Sequence, residues 1–166
     1  MTKISFEFDQ CNPAGAGPYL SLWKERVGES AFMAKSIICV VDFSESSQNT
    51  LQTAADLSAQ YHSHLTVLYP YRLLQTNRGE DLVDLKKRKE AEAATKFAAL
   101  EKSVLKGKDV SFDFSSEIGF ITDRIESRTR KIPVQFLVIG KSLLMANRES
   151  FEELIGHLAS PLIIVP

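Results

Sequence analysis

Residues 36–71, SIICVVDFSESSQNTLQTAADLSAQYHSHLTVLYPY, carry the reading of the fold. The run SIICVVDF is short, rich in β-branched residues and apolar at successive positions. A strand buried on both faces, as in a parallel sheet, has that character. Ser44 then stands at an N-cap position with Gln48 close to a capping-box offset, which predicts a helix to residue 61. Leu51, Ala54, Ala55 and Leu57 give that helix a small-residue apolar face that can lie close against a sheet. HLTVLYPY predicts a second strand, stopped near Pro70. The unit is strand–helix–strand, and the remaining chain repeats its rhythm.

Beyond it, YRLLQTNRGED reads as a loop and leads into a long charged helix over residues 82–105. Leu82, Leu85, Ala93, Phe97, Leu100 and Val104 share one face of that helix, while KKRKE covers the other. The basic run 86–89 is interleaved with acidic neighbours and reads as a solvated face rather than a nucleic-acid contact. DVSFDFSSEI alternates and predicts a third strand with one wetter side. Gly119 ends it, and FITDRIESRTRKI predicts an amphipathic helix on Ile121, Ile125 and Ile132. Pro133 stops that helix before the fourth strand, QFLVIG. A polar turn from Lys141, the helix RESFEELIGHL and the strand PLIIVP complete the chain. Five strands alternating with helices imply an α/β domain, a mostly parallel sheet covered on both faces. In such a sheet a ligand sits outside the carboxyl ends of the strands, at the switch point between strands one and four. The segments expected to meet there are VVDFS and VIGKS.

Upstream, residues 1–34 form a distinct lead segment. ISFEF alternates like an edge strand, NPAGAGP is a cluster of breakers, and Leu20, Trp23 and Val27 fall at helical spacing. Its aromatic residues, Trp23 among them, favour an extension that packs on residues 35–166 or on a partner's domain, over an exposed partner-binding surface. Glu7 and Asp9 interrupt what a signal peptide needs, and no segment reaches the ~20 apolar residues that span a bilayer. A cytoplasmic protein without membrane contact is expected.

The bulk numbers agree with a folded domain. The chain has 166 residues, 44% hydrophobic and 25% charged, as in ordinary globular proteins. A formal net charge of -1 supplies no basic field to draw nucleic acid. Cys11 and Cys39 stand far apart and outside any CxxC pair, and Cys39 reads as a buried small hydrophobe.

The ordered series of units resembles the universal stress protein family. KSIICVVDFSESSQNTLQTAADLSAQYHSHLTVLYPY is similar to the family's opening strand, Val-Asp-x-Ser turn, helix and strand. FSSEIGFITDRIESRTRKIPVQFLVIGK resembles its second half, and ASPLIIVP its last strand. The resemblance covers residues 36–166. It implies a doubly wound three-layer sandwich of the adenine nucleotide alpha hydrolase-like kind, with strand order 3-2-1-4-5. It also implies a nucleotide site in one branch of the family, where the aspartate after strand one meets the adenosine and a Gly-x2-Gly-x9-Gly-Ser/Thr pattern holds ribose and phosphates. Val40, Asp42, Ile139 and Gly140 match that site in this chain. Leu143 then stands where the second glycine belongs, the turn is several residues short, and Glu149, Glu152 and Glu153 crowd the last helix. A leucine brings a Cβ and branched methyls to where backbone must approach pyrophosphate, and first-turn carboxylates compete with a bound anion.

The resulting expectation is a dimeric stress-response or regulatory module of the non-ATP-binding type, without catalysis or cofactor. Family members commonly dimerise through the last strand. In this chain that strand, Leu162–Val165, is a nearly uncharged edge that invites pairing. The alternatives are ATP binding through a modified loop, with weak hydrolysis, or another small molecule at a crevice lined by Val40, Asp42, Leu143 and Met145. Asp42 itself reads either as an acceptor for backbone amides at its own turn or as a ligand contact. The pair His62 and His64 lacks further ligands at metal spacing and reads as a polar turn after a helix, and His157 likewise suits a helix end. Ser44, Ser46 and Ser47 lack a nucleophile elbow, so capping is the better account of Ser44.

Overall fold

The computed structural model describes residues 35–73 and 81–166. The expectations for residues 1–34, and most of the loop after the second strand, lie outside them.

Five strands form one sheet: β1 (Ser36–Val40), β2 (His64–Tyr71), β3 (Phe112–Ile118), β4 (Val134–Gly140) and β5 (Leu162–Val165). Their order is β3-β2-β1-β4-β5, and every pairing is parallel. The connecting helices are α1 (Ser46–Tyr61), α2 (Leu82–Leu100), α3 (Ile121–Lys131), α4 (Lys141–Ala146) and α5 (Arg148–His157).

The alternation along β1 distributes the core to both faces. Ile37, Cys39 and Val41 face α1 and the end of α2, packing with Leu51, Ala54, Ala55, Phe97 and Val104. Ile38 and Val40 face α3 and α5, packing with Ile121, Ile125, Phe151 and Leu154. All five residues of β1 are buried, as a central parallel strand requires. Burial pushes the Cys39 thiol far above its ordinary range, so it behaves as a small hydrophobe.

Four local expectations are corrected. Residues 141–146, read as a polar turn, are the short helix α4, which begins directly after Gly140. The N-cap of α1 is Glu45 without a side-chain cap bond, because Ser44 is turned back to Asp42. Leu82 does not share the buried face of α2; it is 52% exposed, whereas Leu85, Ala93 and Phe97 are buried. The long charged helix does not run regularly to its end but passes into a π-helical turn over Glu101–Leu105. The strand β2 spans the predicted HLTVLYPY and ends at Tyr71, one residue past Pro70. The register with β1 ends at Leu68, so the proline's missing N–H breaks no bond to β1.

Candidate functional site

β1 and β4 are neighbours whose helices lie on opposite faces of the sheet, and their carboxyl ends define the switch point. Two turns meet there. The first follows β1 and is organised by Asp42. One carboxylate oxygen of Asp42 accepts the Ser44 amide at 2.9 Å, the Ser44 hydroxyl at 2.5 Å and the Ser47 hydroxyl at 2.8 Å. The Asp42 amide in turn donates to Ser47 Oγ at 3.3 Å. Partial desolvation pushes this carboxyl up, but the hydrogen bonds from Ser44, Ser47 and its own backbone outweigh it. Asp42 is therefore held below the usual carboxylate range.

The tight turn forces Phe43 into the left-handed region at φ 60°. For a bulky residue this conformation costs about 1–3 kcal/mol. Packing offsets the strain, since the Phe43 ring lies 4.7 Å from Tyr69 and 6.2 Å from Phe114 between centroids.

The second turn follows β4. A Cβ added at Gly140 would lie 2.9 Å from Thr50 Oγ1 and 3.3 Å from Ser46 Oγ, so close approach of α1 explains this glycine. Leu143 and Leu144 turn inward and pack against the core that holds Val40, Ile139 and Phe151. Asn147 closes the end of α4, its side-chain amide donating to the Leu143 carbonyl at 2.9 Å.

Hydroxyls join the two turns. Ser44 Oγ lies 3.0 Å from Ser46 Oγ, which lies 2.6 Å from Ser142 Oγ. Each hydroxyl carries one proton, and the ionised Asp42 can only accept. Ser44 spends its proton on Asp42, so Ser46 must donate to Ser44 and Ser142 to Ser46. Every proton in this chain points toward Asp42. With these protons committed, the hydroxyls keep only lone pairs for a further partner, which suits a donor and opposes an anion.

Of the residues matched to a nucleotide site, Asp42 and Gly140 frame the switch point, while the side chains of Val40 and Ile139 are buried at 1% and 0% exposure. Val40 and Leu143 belong to one core cluster, whereas Asp42 and Met145 are exposed. A separate concavity of about 390 Å³ lies beside the first turn, lined by Phe43, Gln48, Lys96, Ala99, Leu100 and Ser103. Thr50 is the contributor that sequence reasoning did not name; Ser46 was weighed only as a nucleophile, and Ser142 entered only as part of VIGKS. The only signal was the cluster of serines at 44–47 in the first turn and the single Ser142 in the second.

The histidines separate. His62 is the left-handed C-cap of α1, as a helix-end reading requires. His64 starts β2 instead, with Nε2 2.7 Å from Asp113 Oδ1 and Nδ1 3.1 Å from Ser111 Oγ. His157 is the last residue of α5. Among the described residues no group of three or more His, Cys, Asp or Glu side chains is placed to hold a metal ion. Among the same residues no helix is long and apolar enough to cross a membrane.

A family model described as the universal stress protein family matches residues 33–163. No curated protein matches the chain. Among solved structures, a universal stress protein family member from Burkholderia pseudomallei is 20% identical with a TM-score of 0.63, the match covering 81% of this chain and 98% of that one. The universal stress protein UspA from Lactobacillus plantarum is 19% identical with a TM-score of 0.59, covering 81% and 99%. A universal stress protein from Archaeoglobus fulgidus, solved in complex with dAMP, is 15% identical with a TM-score of 0.57, covering 81% and 98%. At these identities the structures share the fold with this chain.

Proposed function

This chain belongs to the universal stress protein family, and from that membership we propose that it is a non-enzymatic, dimeric stress-response or regulatory module that does not bind ATP through a phosphate loop. One observation carries the reading. Where glycines would let a backbone approach pyrophosphate, α4 begins at once, Leu143 packs into the core, and Ser142 bonds across to Ser46. The polarity of the serine chain adds to this, since its protons are spent within the chain and only lone pairs remain for an incoming group. No catalytic turnover is assigned, and the module acts in the cytoplasm without a cofactor.

The dimer reading draws on β5. This edge strand is apolar, its Ile164 is 48% exposed, and its outer backbone groups have no strand partner among the described residues. A two-fold pairing of Leu162–Val165 covers it in both copies.

A second reading, nucleotide binding through a modified loop, draws on the dAMP complex of the Archaeoglobus fulgidus protein and on Asp42 and Gly140 standing at the switch point. Calorimetric titration with ATP and Mg²⁺ separates the two. The expected result is no saturable heat in the micromolar range; saturable binding that Asp42→Ala abolishes establishes the second reading instead. Light scattering on the same preparation is expected to give a dimer, and Ile164→Lys a monomer.

A further inference from the structure

We propose that Ser142 and Leu143 make α4 a two-point clasp over the switch point, and that this clasp keeps a nucleotide out of the crevice between β1 and β4. The inference rests on the reading above and names the contact that regulates the site.

Helix α4 has six residues, too few to be stable alone, so its attachments hold it. One attachment is polar: Ser142 Oγ donates to Ser46 Oγ at 2.6 Å, tying α4 to the first turn of α1 across 96 residues of chain. The other is apolar: Leu143 and Leu144 are partly buried against the core beneath β1 and β4. At its far end α4 is closed by the Asn147 amide on the Leu143 carbonyl and the Asn147 backbone on the Leu144 carbonyl. The strands on either side are fully buried at their ends, with Val40 and Ile139 at 1% and 0% exposure. Opening therefore falls to α4, a short helix held by these few attachments. An open state needs one hydroxyl bond broken and two leucines withdrawn, while β1, β4 and Asp42 stay in place. That state uncovers the end of β4 beside the exposed Lys141, the cation that would meet an anion there. A ligand that binds only the open state is weakened by the closed fraction, so loosening the clasp uncovers affinity with no new contact.

The test uses the full chain, with amide hydrogen exchange over residues 141–147 and titration with ATP and Mg²⁺ as the probe. Ser142→Ala is expected to speed exchange of that segment about fivefold, the loss of one hydrogen bond, and Ser142→Thr to restore the wild-type rate. Ser142→Ala with Leu143→Ala, which removes both attachments without restoring a glycine, is expected to speed it more than about tenfold while β1 and β4 amides stay unchanged. This double variant then binds the nucleotide saturably where wild type does not. Unchanged exchange in both variants, or an opened α4 that still takes no nucleotide, overturns the clasp alone. Equal binding by wild type and double variant overturns the clasp together with the reading beneath it. Should the double variant not fold, the exposed Ser142→Ala change decides by its exchange rate and its rescue by threonine.

Discussion

The turn after β1 and the turn after β4 meet at one end of the sheet, yet they are held by opposite means. Residues 41–47 are fixed by a carboxylate: Asp42 gathers an amide and two hydroxyls, and Phe43 accepts a left-handed backbone to allow it. Residues 140–147 are fixed chiefly by apolar packing, with Leu143 and Leu144 drawn into the core and one hydroxyl bond from Ser142 to Ser46 beside it. Both turns inherit their position from the same doubly wound topology. The first keeps a polar geometry suited to a ligand, and the second has become an extension of the core. A fold can thus conserve the place of a site while one of its two walls turns into structure.

The largest test of this contrast is Phe151→Ala. Phe151 is 1% exposed and anchors the segment after β4 to the sheet. Truncating such a buried ring costs about 3–5 kcal/mol, measured as a lowered midpoint of urea unfolding. A cost no larger than that of a surface change shows that the second wall is not core, and the contrast fails.

Gly140→Ala comes next. Its Cβ would meet Thr50 Oγ1 at 2.9 Å, inside a buried helix contact, so a cost of about 1–3 kcal/mol is expected. Adding Thr50→Ala should recover at least about 0.5 kcal/mol of it by coupling. If the two changes simply add, Gly140 does not owe its identity to α1 and its family role as a phosphate glycine regains weight.

Much of this was legible. Apolar runs such as SIICVVDF and QFLVIG marked buried strands, and their alternation with amphipathic segments gave the layers. The periodic face of α2 was readable at Leu85, Ala93 and Phe97 but not at Leu82, since periodicity does not say where a helix stops touching its neighbour. Helix α4 was hidden because a glycine after a strand reads as a turn, though Lys, Leu, Met and Ala are all good helix formers. Ser44 was misread as a cap because its hydroxyl donates back to the Asp42 carboxylate, while the Ser47 amide bonds to the Ser44 carbonyl instead of its side chain. The contact of Ser46 with Ser142 joins residues 96 apart, and no local pattern encodes it.

The smallest expected effect probes the polar wall by its charge. Hydrogen bonds hold the Asp42 carboxyl below its ordinary range, so the folded state favours the ionised form. The stability this gives is complete above the unfolded-state value, about pH 4. It is lost as pH falls through the lower value of the folded protein. Asp42→Asn keeps an acceptor for the Ser44 amide but removes the charge. Because the site is exposed, the variant is expected to be less stable at neutral pH by only about 1 kcal/mol. Asp56 and Glu92 also have lowered values and lose their contributions on acidification, but they do so in both proteins. The difference between wild type and variant, followed by urea unfolding from neutral pH downward, therefore isolates Asp42 and should shrink toward zero in acid. A difference that stays constant with pH means that the first turn is held by shape rather than by charge, and that the two turns are alike after all.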